Sequence, residues 1–240
     1  TVDQTGVFAP IPSVGTSVIL SDDQVSGILP VGFTFTFFGV NYTNFYISSN
    51  GFISFTAGVS SGCCSGGLIP AADGVDNIIA WGWNDLYPPG GGTIAYETVG
   101  VAPNRMLLVT FTNQWHCCSG PATNSGQIIL YETTNVIEIH NAEVTSDGST
   151  NTQGIENAAG TIAYATPGRN STTWTTTNDY VAFYPAVCST FQSVEVFASP
   201  AVTGVSDINP ACDGDTVTLT GSGADSYAWD MGVTDGVPFA

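Results

Sequence analysis

An antiparallel β-sandwich, and so an all-β fold, is what this sequence predicts, and three observations predict it. Apolar and polar residues alternate with period two through many short segments. Gly (28) and Pro (13) punctuate those segments, and no window keeps helical periodicity beyond two turns. Hydrophobic residues make up 43% of the chain and aromatics 11%, enough apolar surface to fold against a net charge of −18.

Taken in order, "GFTFTFFG" places Phe33, Phe35 and Phe37 on one face of a half-buried strand and Thr34 and Thr36 on the other. "FYISSNGFISF" reads as two short strands reversing at Asn50-Gly51, a dipeptide that tolerates positive φ. "NIIAWGWNDL" is a continuous apolar run stopped by "YPPGGG". The strands "TIAYETV" and "RMLLVTFTNQW" follow, then "QIILYETTNVIEIHNAEV", a hairpin turning near Thr133-Thr134-Asn135. "AAGTIAYATPG" and "DYVAFYPAV" complete the series. After Cys188 the pattern changes. A Pro/Gly-containing linker leads to Cys212, the alternating strand "TVTLT" and, past a Gly-rich turn, Trp229, which is how an immunoglobulin-like sandwich opens. Such a sandwich needs about a hundred residues, so a partial domain of a longer chain is expected.

Lys and Arg together number 2, Arg105 and Arg169, against 20 Asp plus Glu. Nothing here displaces counterions from phosphate, which excludes nucleic acid as a partner, and the same acidity opposes docking on an anionic membrane surface. With no run of eighteen apolar residues and no signal-peptide pattern at Thr1, the chain reads as mature and soluble, and its acidity is compatible with secretion. Without lysine no Lys–Asn isopeptide bond can form, so covalent reinforcement falls to the six cysteines.

Four of these stand in two near-identical stretches, "GCCSGG" with Cys63 and Cys64, and "HCCSG" with Cys117 and Cys118. Zinc and redox sites favour spaced C-x-x-C pairs, whereas adjacent cysteines point in divergent directions. The expectation is therefore a staple joining one loop to the other, with rings closed between neighbouring cysteines as the alternative. Cys188 and Cys212 pair with each other across the linker, or Cys212 pairs within the rest of the immunoglobulin-like domain.

Calcium is the cofactor the acidic loops suggest, since it takes six to eight oxygen ligands. Of "SDDQ" (Asp22, Asp23), "ADGVDN", "WNDL" and "CDGD", the second is the best candidate, through Asp73, Asp76 and Asn77. None matches the D-x-[DN]-x-[DN]-G loop, and solvated acidic turns are the bland reading. Asp85 is read as a buried carboxylate beside Trp81 and Trp83. Trp83, Asp85 and Tyr87 are candidate binding residues, and Tyr42, Tyr87, Trp115 and Trp174 a candidate aromatic platform for sugars, unless they belong to the core. His116 adjoins the cysteines and His140 shares a strand face with Glu138. A Cys–His nucleophile is conceivable in outline, but a disulfide-bonded cysteine cannot attack, and neither G-x-S-x-G nor H-E-x-x-H is present. No enzyme is expected.

Three blocks in order, "LPVGFTFTFFGVNYTNFYISSNGFISF", "NIIAWGWNDLYPPGGGTIAYE" and "QGIENAAGTIAYA", resemble nidogen-like extracellular domains. The likeness is closest to versions in large secreted surface proteins of Bacteroidetes-type bacteria. The tail from Cys212 resembles the immunoglobulin-like repeats that follow such modules in adhesins exported by the type IX secretion system. This resemblance implies a secreted, multidomain, adhesive or matrix role without a catalytic centre; the paired cysteines are not part of the family pattern. The expected layout is a nidogen-like sandwich over residues 1–190, a linker and first strand over 191–204, and a partial immunoglobulin-like domain over 205–240. The expected function is a structural or adhesive surface module, a unit of a stalk or filament. Its partners would be further domains of the same chain, neighbouring copies, and a surface or matrix ligand such as a glycan. A calcium-dependent carbohydrate-binding module is the second reading and a secreted hydrolase the third.

Overall fold

The alternating phenylalanines set the first long strand and the same rule builds the rest. In the computed structural model, which describes residues 1–117, 120–185, 203–208, 214–223 and 226–239, two units form, Thr1–Pro185 and Ala186–Ala240. The first contains β1 (Val2–Asp3), β2 (Thr16–Ser17), β3 (Leu29–Phe37), β4 (Val40–Ser48), β5 (Phe52–Ser54), β6 (Ile78–Trp83) and β7 (Thr93–Val99). It continues with β8 (Met106–His116), β9 (Gly120–Tyr131), β10 (Ile137–Val144), β11 (Thr152–Glu156), β12 (Ala163–Ala165) and β13 (Thr176–Phe183). One sheet runs β1-β13-β10-β9-β8-β7-β2 and the other β12-β11-β6-β5-β4-β3, with every pairing antiparallel. Among the described residues, helix is confined to 3-10 turns at Pro88–Gly90 and Asp230–Gly232. The fold is the expected all-β sandwich.

Phe33, Phe35 and Phe37 are buried while Thr34 is exposed. They meet Phe45, Ile47, Trp81, Leu107, Val109, Phe111, Ile128 and Val181 in the core between the sheets. The expected reversal is present: Ser48 pairs with Phe52 around Gly51 at φ 80°, where a Cβ would meet the Gly82 carbonyl oxygen at 2.9 Å. The second hairpin also turns as expected, with Thr133 and Asn135 at φ 70° and 51°.

β6 explains why its stretch of sequence does not alternate. All six of its residues are buried. Ile79 and Trp81 face the inter-sheet core, whereas Ile78, Ala80 and Trp83 face a second apolar cluster with Phe52, Val59, Ile69 and Val75. Residues 56–77 therefore lie across the outer face of the six-stranded sheet. The opposite outer surface has its own cover. The N-terminal segment crosses it, with the Ile11 N–H donating to Gln127 Oε1 (2.8 Å) and the Ala9 N–H to His140 Nδ1 (3.2 Å). His140 is consequently buried, edge-on to Phe8 and Tyr180.

Edge strand β3 has side chains laid along it. Thr98 Oγ1 donates to the Val31 carbonyl (2.7 Å), Arg105 Nη1 to that of Gly32 (2.6 Å), and Asn135 Oδ1 accepts from the Thr36 N–H (2.8 Å). These contacts occupy backbone groups that would otherwise template another chain. Arg105 also makes a two-pronged pair with Glu132. Arg169 lies 4.6 Å from the Trp174 ring centre and donates to Gln153 Oε1 (2.8 Å) and the Asp179 carboxylate.

The second unit holds β14 (Thr203–Ser206) paired antiparallel with β15 (Leu219–Ser222). Val217 bridges Phe239, and Trp229 Nε1 donates to Asp235 Oδ1 at 3.0 Å. Trp229 immediately precedes the 3-10 turn Asp230–Gly232, its ring against Gly204. The strand expected from "TVTLT" is shorter and shifted, because Val217 forms only an isolated bridge. Cys188 and Cys212 lie outside the described residues.

Trp83→Ala is expected to lower the unfolding free energy by about 3–5 kcal/mol, the usual cost of emptying a buried tryptophan site. It should also expose the segment 56–77 to limited proteolysis while far-UV circular dichroism stays β-rich. Cleavage no faster than in the parent would show that Trp83 does not anchor that segment.

Candidate functional site

The two cysteine-bearing stretches converge on Asp85, and β6 is what brings them there. Trp83, its last residue, donates from Nε1 to the Gly62 carbonyl at 2.7 Å. The glycines of "GCCSGG" lie flat on this corner. A Cβ on Gly62 would come within 2.7 Å of the Phe52 and Trp83 rings, and one on Gly66 within 2.5 Å of the Trp83 carbonyl oxygen. The Gly66 N–H donates to the Thr150 carbonyl (2.7 Å) and Thr152 Oγ1 to that of Gly67 (2.5 Å). Pinned on both sides, the loop presents Cys63, Cys64 and Ser65 to solvent. From the other side, the Cys117 N–H donates to the Asp85 carbonyl at 2.8 Å.

Cys63 and Cys64 are bonded to each other. The staple expected from this pair to Cys117 or Cys118 is thereby corrected in favour of the neighbouring-cysteine ring. The loops are joined through hydrogen bonds to Trp83 and Asp85, so no disulfide is needed to bring them together. Cys118 lies outside the described residues.

Asp22 and Asp23 share this corner. The Cys63 and Cys64 sulfurs and one carboxylate oxygen each of Asp23 and Asp85 lie within 4.8 Å of one another, as do Asp22, Asp85 and Cys117. Asn50, fully buried, donates from Nδ2 to Asp23 Oδ1 (2.8 Å) and accepts at Oδ1 from the Leu86 N–H (2.9 Å). Burial raises the Asp85 pKa, and the negative charges of Asp23, Asp22 and Asp147 raise it further. Asp85 was read as a buried carboxylate; it is half-buried, and it is the shared member of both groups.

His116 serves this corner as a brace. Its Nδ1 lies 3.1 Å from Asn84 Oδ1 and its Nε2 3.1 Å from Thr145 Oγ1, with the Asp147 carboxylate at 3.8 Å. Burial lowers its pKa against the pull of Asp147. Both ring nitrogens are thus engaged by neighbouring oxygens. Asn84 in turn reaches Ser149 (2.9 Å), the Thr150 carbonyl (3.2 Å) and Asn151.

The expected calcium ligands do not gather as three. Asn77 is buried, with Nδ2 donating to the Tyr42 hydroxyl and to Thr56 Oγ1, both at 3.1 Å, because the turn that carries it enters β6. Asp73 accepts from the Val75 N–H (3.0 Å) within its own turn. Asp76 directs Oδ1 at Gly160, whose added Cβ would stand 2.5 Å away. The sequence reading missed Glu156, which is 1% exposed and accepts the Ala71 N–H at 2.6 Å. The stretch "QGIE", with Ile155 its one apolar side chain, offered little signal. Among the described residues, Glu156 Oε2 and Asp76 Oδ1 are buried without a hydrogen-bond donor.

Of the aromatic platform, Trp174 is 9% exposed, and Trp83, a separate candidate binding residue, is 3% exposed. Trp83 fills the cluster under residues 56–77, Trp174 lies under Arg169, and Tyr42 stacks on Phe55. Tyr87 and Trp115 are half-buried, joined where the Tyr87 N–H donates to the Trp115 carbonyl at 2.8 Å.

Two antiparallel sheets around one core, with loops held by amides and glycines at the rim, define a β-sandwich module of structural type. A family model described as NIDO related matches residues 1–193, and the chain belongs to that family. Its domains are in general extracellular and structural rather than enzymatic. No curated protein and no solved structure matches the chain.

Glu156 generates a pH dependence. Burial pushes its pKa up to about 7; the Ala71 N–H opposes the rise, and the charges of Asp76 and Asp73 add to it. An acid whose folded pKa exceeds its unfolded value holds its proton more tightly when folded. Its contribution is complete below the unfolded pKa and is lost as pH rises through about 7. Glu156→Gln keeps an acceptor for Ala71 but no charge. In calcium-free buffer, the variant should gain melting temperature relative to the parent between about pH 5 and pH 8. His116 titrates with the opposite slope in both proteins and cancels in that difference. A difference independent of pH would reject the assignment.

Proposed function

We propose that this chain is a non-catalytic structural or adhesive module of a large secreted cell-surface protein, a unit of a stalk, filament or adhesin. The observation that carries the reading is the family match across the whole of the first unit. The covered outer faces and occupied β3 edge support it, since a module in a long extracellular chain must not pair with its neighbours at random. The immunoglobulin-like character of the tail and export by the type IX system belong to the same proposal, on the strength of the sequence resemblance. Its partners would be other domains of the chain or neighbouring copies, and a surface or matrix ligand. An antibody against the first unit is expected to label intact producing cells, and deletion of the coding region to reduce their attachment to surfaces. Labelling only after lysis would overturn the extracellular assignment; unchanged attachment would overturn the adhesive one.

Calcium belongs to this proposal at the turn of Asp73 and Asp76, where the bare oxygens of Asp76 and Glu156 would gain a cation. Chelator should then lower the melting temperature, because an ion bound only to the native state stabilises it. Asp76→Asn should remove the shift. A melting curve indifferent to chelator takes calcium out of the account.

A further inference from the structure

The bond between Cys63 and Cys64 places both sulfurs on one side of an exposed loop, facing two carboxylates. Two ligands of one zinc ion stand at most about 4.6 Å apart, since Zn–S bonds are about 2.3 Å and Zn–O bonds about 2.0–2.2 Å. The two sulfurs and the oxygens of Asp23 and Asp85 lie within 4.8 Å of one another, so a shift of a few tenths of an ångström at most brings every pair inside that limit. We propose that the reduced form of this loop is a binding site for a thiophilic divalent cation such as zinc, with Cys63, Cys64, Asp23 and Asp85 as its four ligands. The disulfide is the closed state of that site. This inference is independent of the adhesive role.

Further features support it beyond the grouping. Adjacent cysteines ordinarily diverge, which is the objection to a metal site that the sequence raises; here their sulfurs have been brought together, and opening the bond leaves them as neighbours. The frame does not depend on the bond, because Gly62, Gly66 and Gly67 are fixed to Trp83, Thr150 and Thr152. Asp23 is oriented by buried Asn50, the kind of outer contact that fixes a metal ligand. Both cysteines are exposed, so a thiol reductant reaches them. Two thiolates select a soft or borderline ion over calcium, which takes only oxygen.

The redox step balances with a dithiol as reductant. It gives two electrons and two protons, the S–S bond breaks to two thiols, and the dithiol closes to its own disulfide. Metal binding then releases the two thiol protons to solvent.

The test uses the full chain carrying Cys117→Ser and Cys118→Ser, reduced with excess dithiol that is removed under anaerobic conditions. Cadmium is the probe, followed by its thiolate charge-transfer absorption and by calorimetry. The expected result is one ion per chain with that absorption, and binding at least ~10-fold weaker in Asp23→Asn and in Asp85→Asn, the scale of a lost ligand contact. The oxidised chain should show no such absorption. Equal affinity in both asparagine variants would overturn the carboxylate ligands; uptake indifferent to oxidation would overturn the sulfur ligands; no uptake would overturn the site. Should the serine background lose its circular dichroism signal, the parent is compared with Cys63→Ser/Cys64→Ser, and an unchanged absorption there is equally fatal.

Discussion

Six consecutive residues of β6 have no exposed side, and a strand so placed needs apolar cover on two faces rather than one. The seven-stranded sheet supplies one cover. The other must come from chain that is not itself sheet, and residues 56–77 supply it through Val59, Ile69 and Val75. Laying that segment down fixes where its middle passes. Trp83, buried at the end of β6, catches the Gly62 carbonyl, and the cysteine loop is carried to the rim beside Asp85. The site is therefore a by-product of how an apolar strand is covered, which is why its polar residues come from four separate stretches of sequence.

Charge imposes the second constraint. A chain with 20 acidic side chains and two arginines repels itself, and cannot pair most of its carboxylates. Both arginines stand where the two sheets meet. Arg105 ties the β9–β10 turn to edge strand β3, and Arg169 holds β11 of one sheet to β13 of the other through Gln153 and Asp179. Elsewhere carboxylates are managed by backbone N–H groups and hydroxyls, as at Asp3 with Thr5 and Asp147 with Ser149. At Asp85 and Glu156 burial raises the pKa and neighbouring carboxylates add to the rise, at Glu156 in spite of the Ala71 N–H.

The strands were legible because alternation at Phe33, Phe35 and Phe37 is a local property of one strand on one face. The hairpins at Gly51 and near Asn135 were legible for a similar reason, since positive φ restricts residue type within a few positions. The site was legible only in pieces. "GCCSGG", "SDDQ" and "WNDL" each stand out, but their meeting depends on the path of residues 56–77, which no local pattern encodes. Glu156 was hidden because one glutamate beside Ile155 looks like a solvent-facing strand position until both faces of the six-stranded sheet are seen to be covered. Asn77 failed as a ligand for the related reason that the turn into β6 buries it beneath Tyr42 and Thr56.

The cysteine loops also separate two roles that the sequence runs together. A staple between distant loops stabilises by constraining the unfolded chain, and its worth grows with the length enclosed. A ring between neighbours encloses nothing, so it contributes almost nothing by that route. What holds the "GCCSGG" loop is instead glycine against tryptophan, where no side chain larger than hydrogen fits. A bond that is not needed for stability is one whose opening the fold can tolerate, and exposure at Cys63 and Cys64 makes that opening accessible. The same glycines that make the disulfide structurally dispensable keep its sulfurs beside Asp23 and Asp85, so chemistry at this corner requires no rearrangement of the sandwich beneath it.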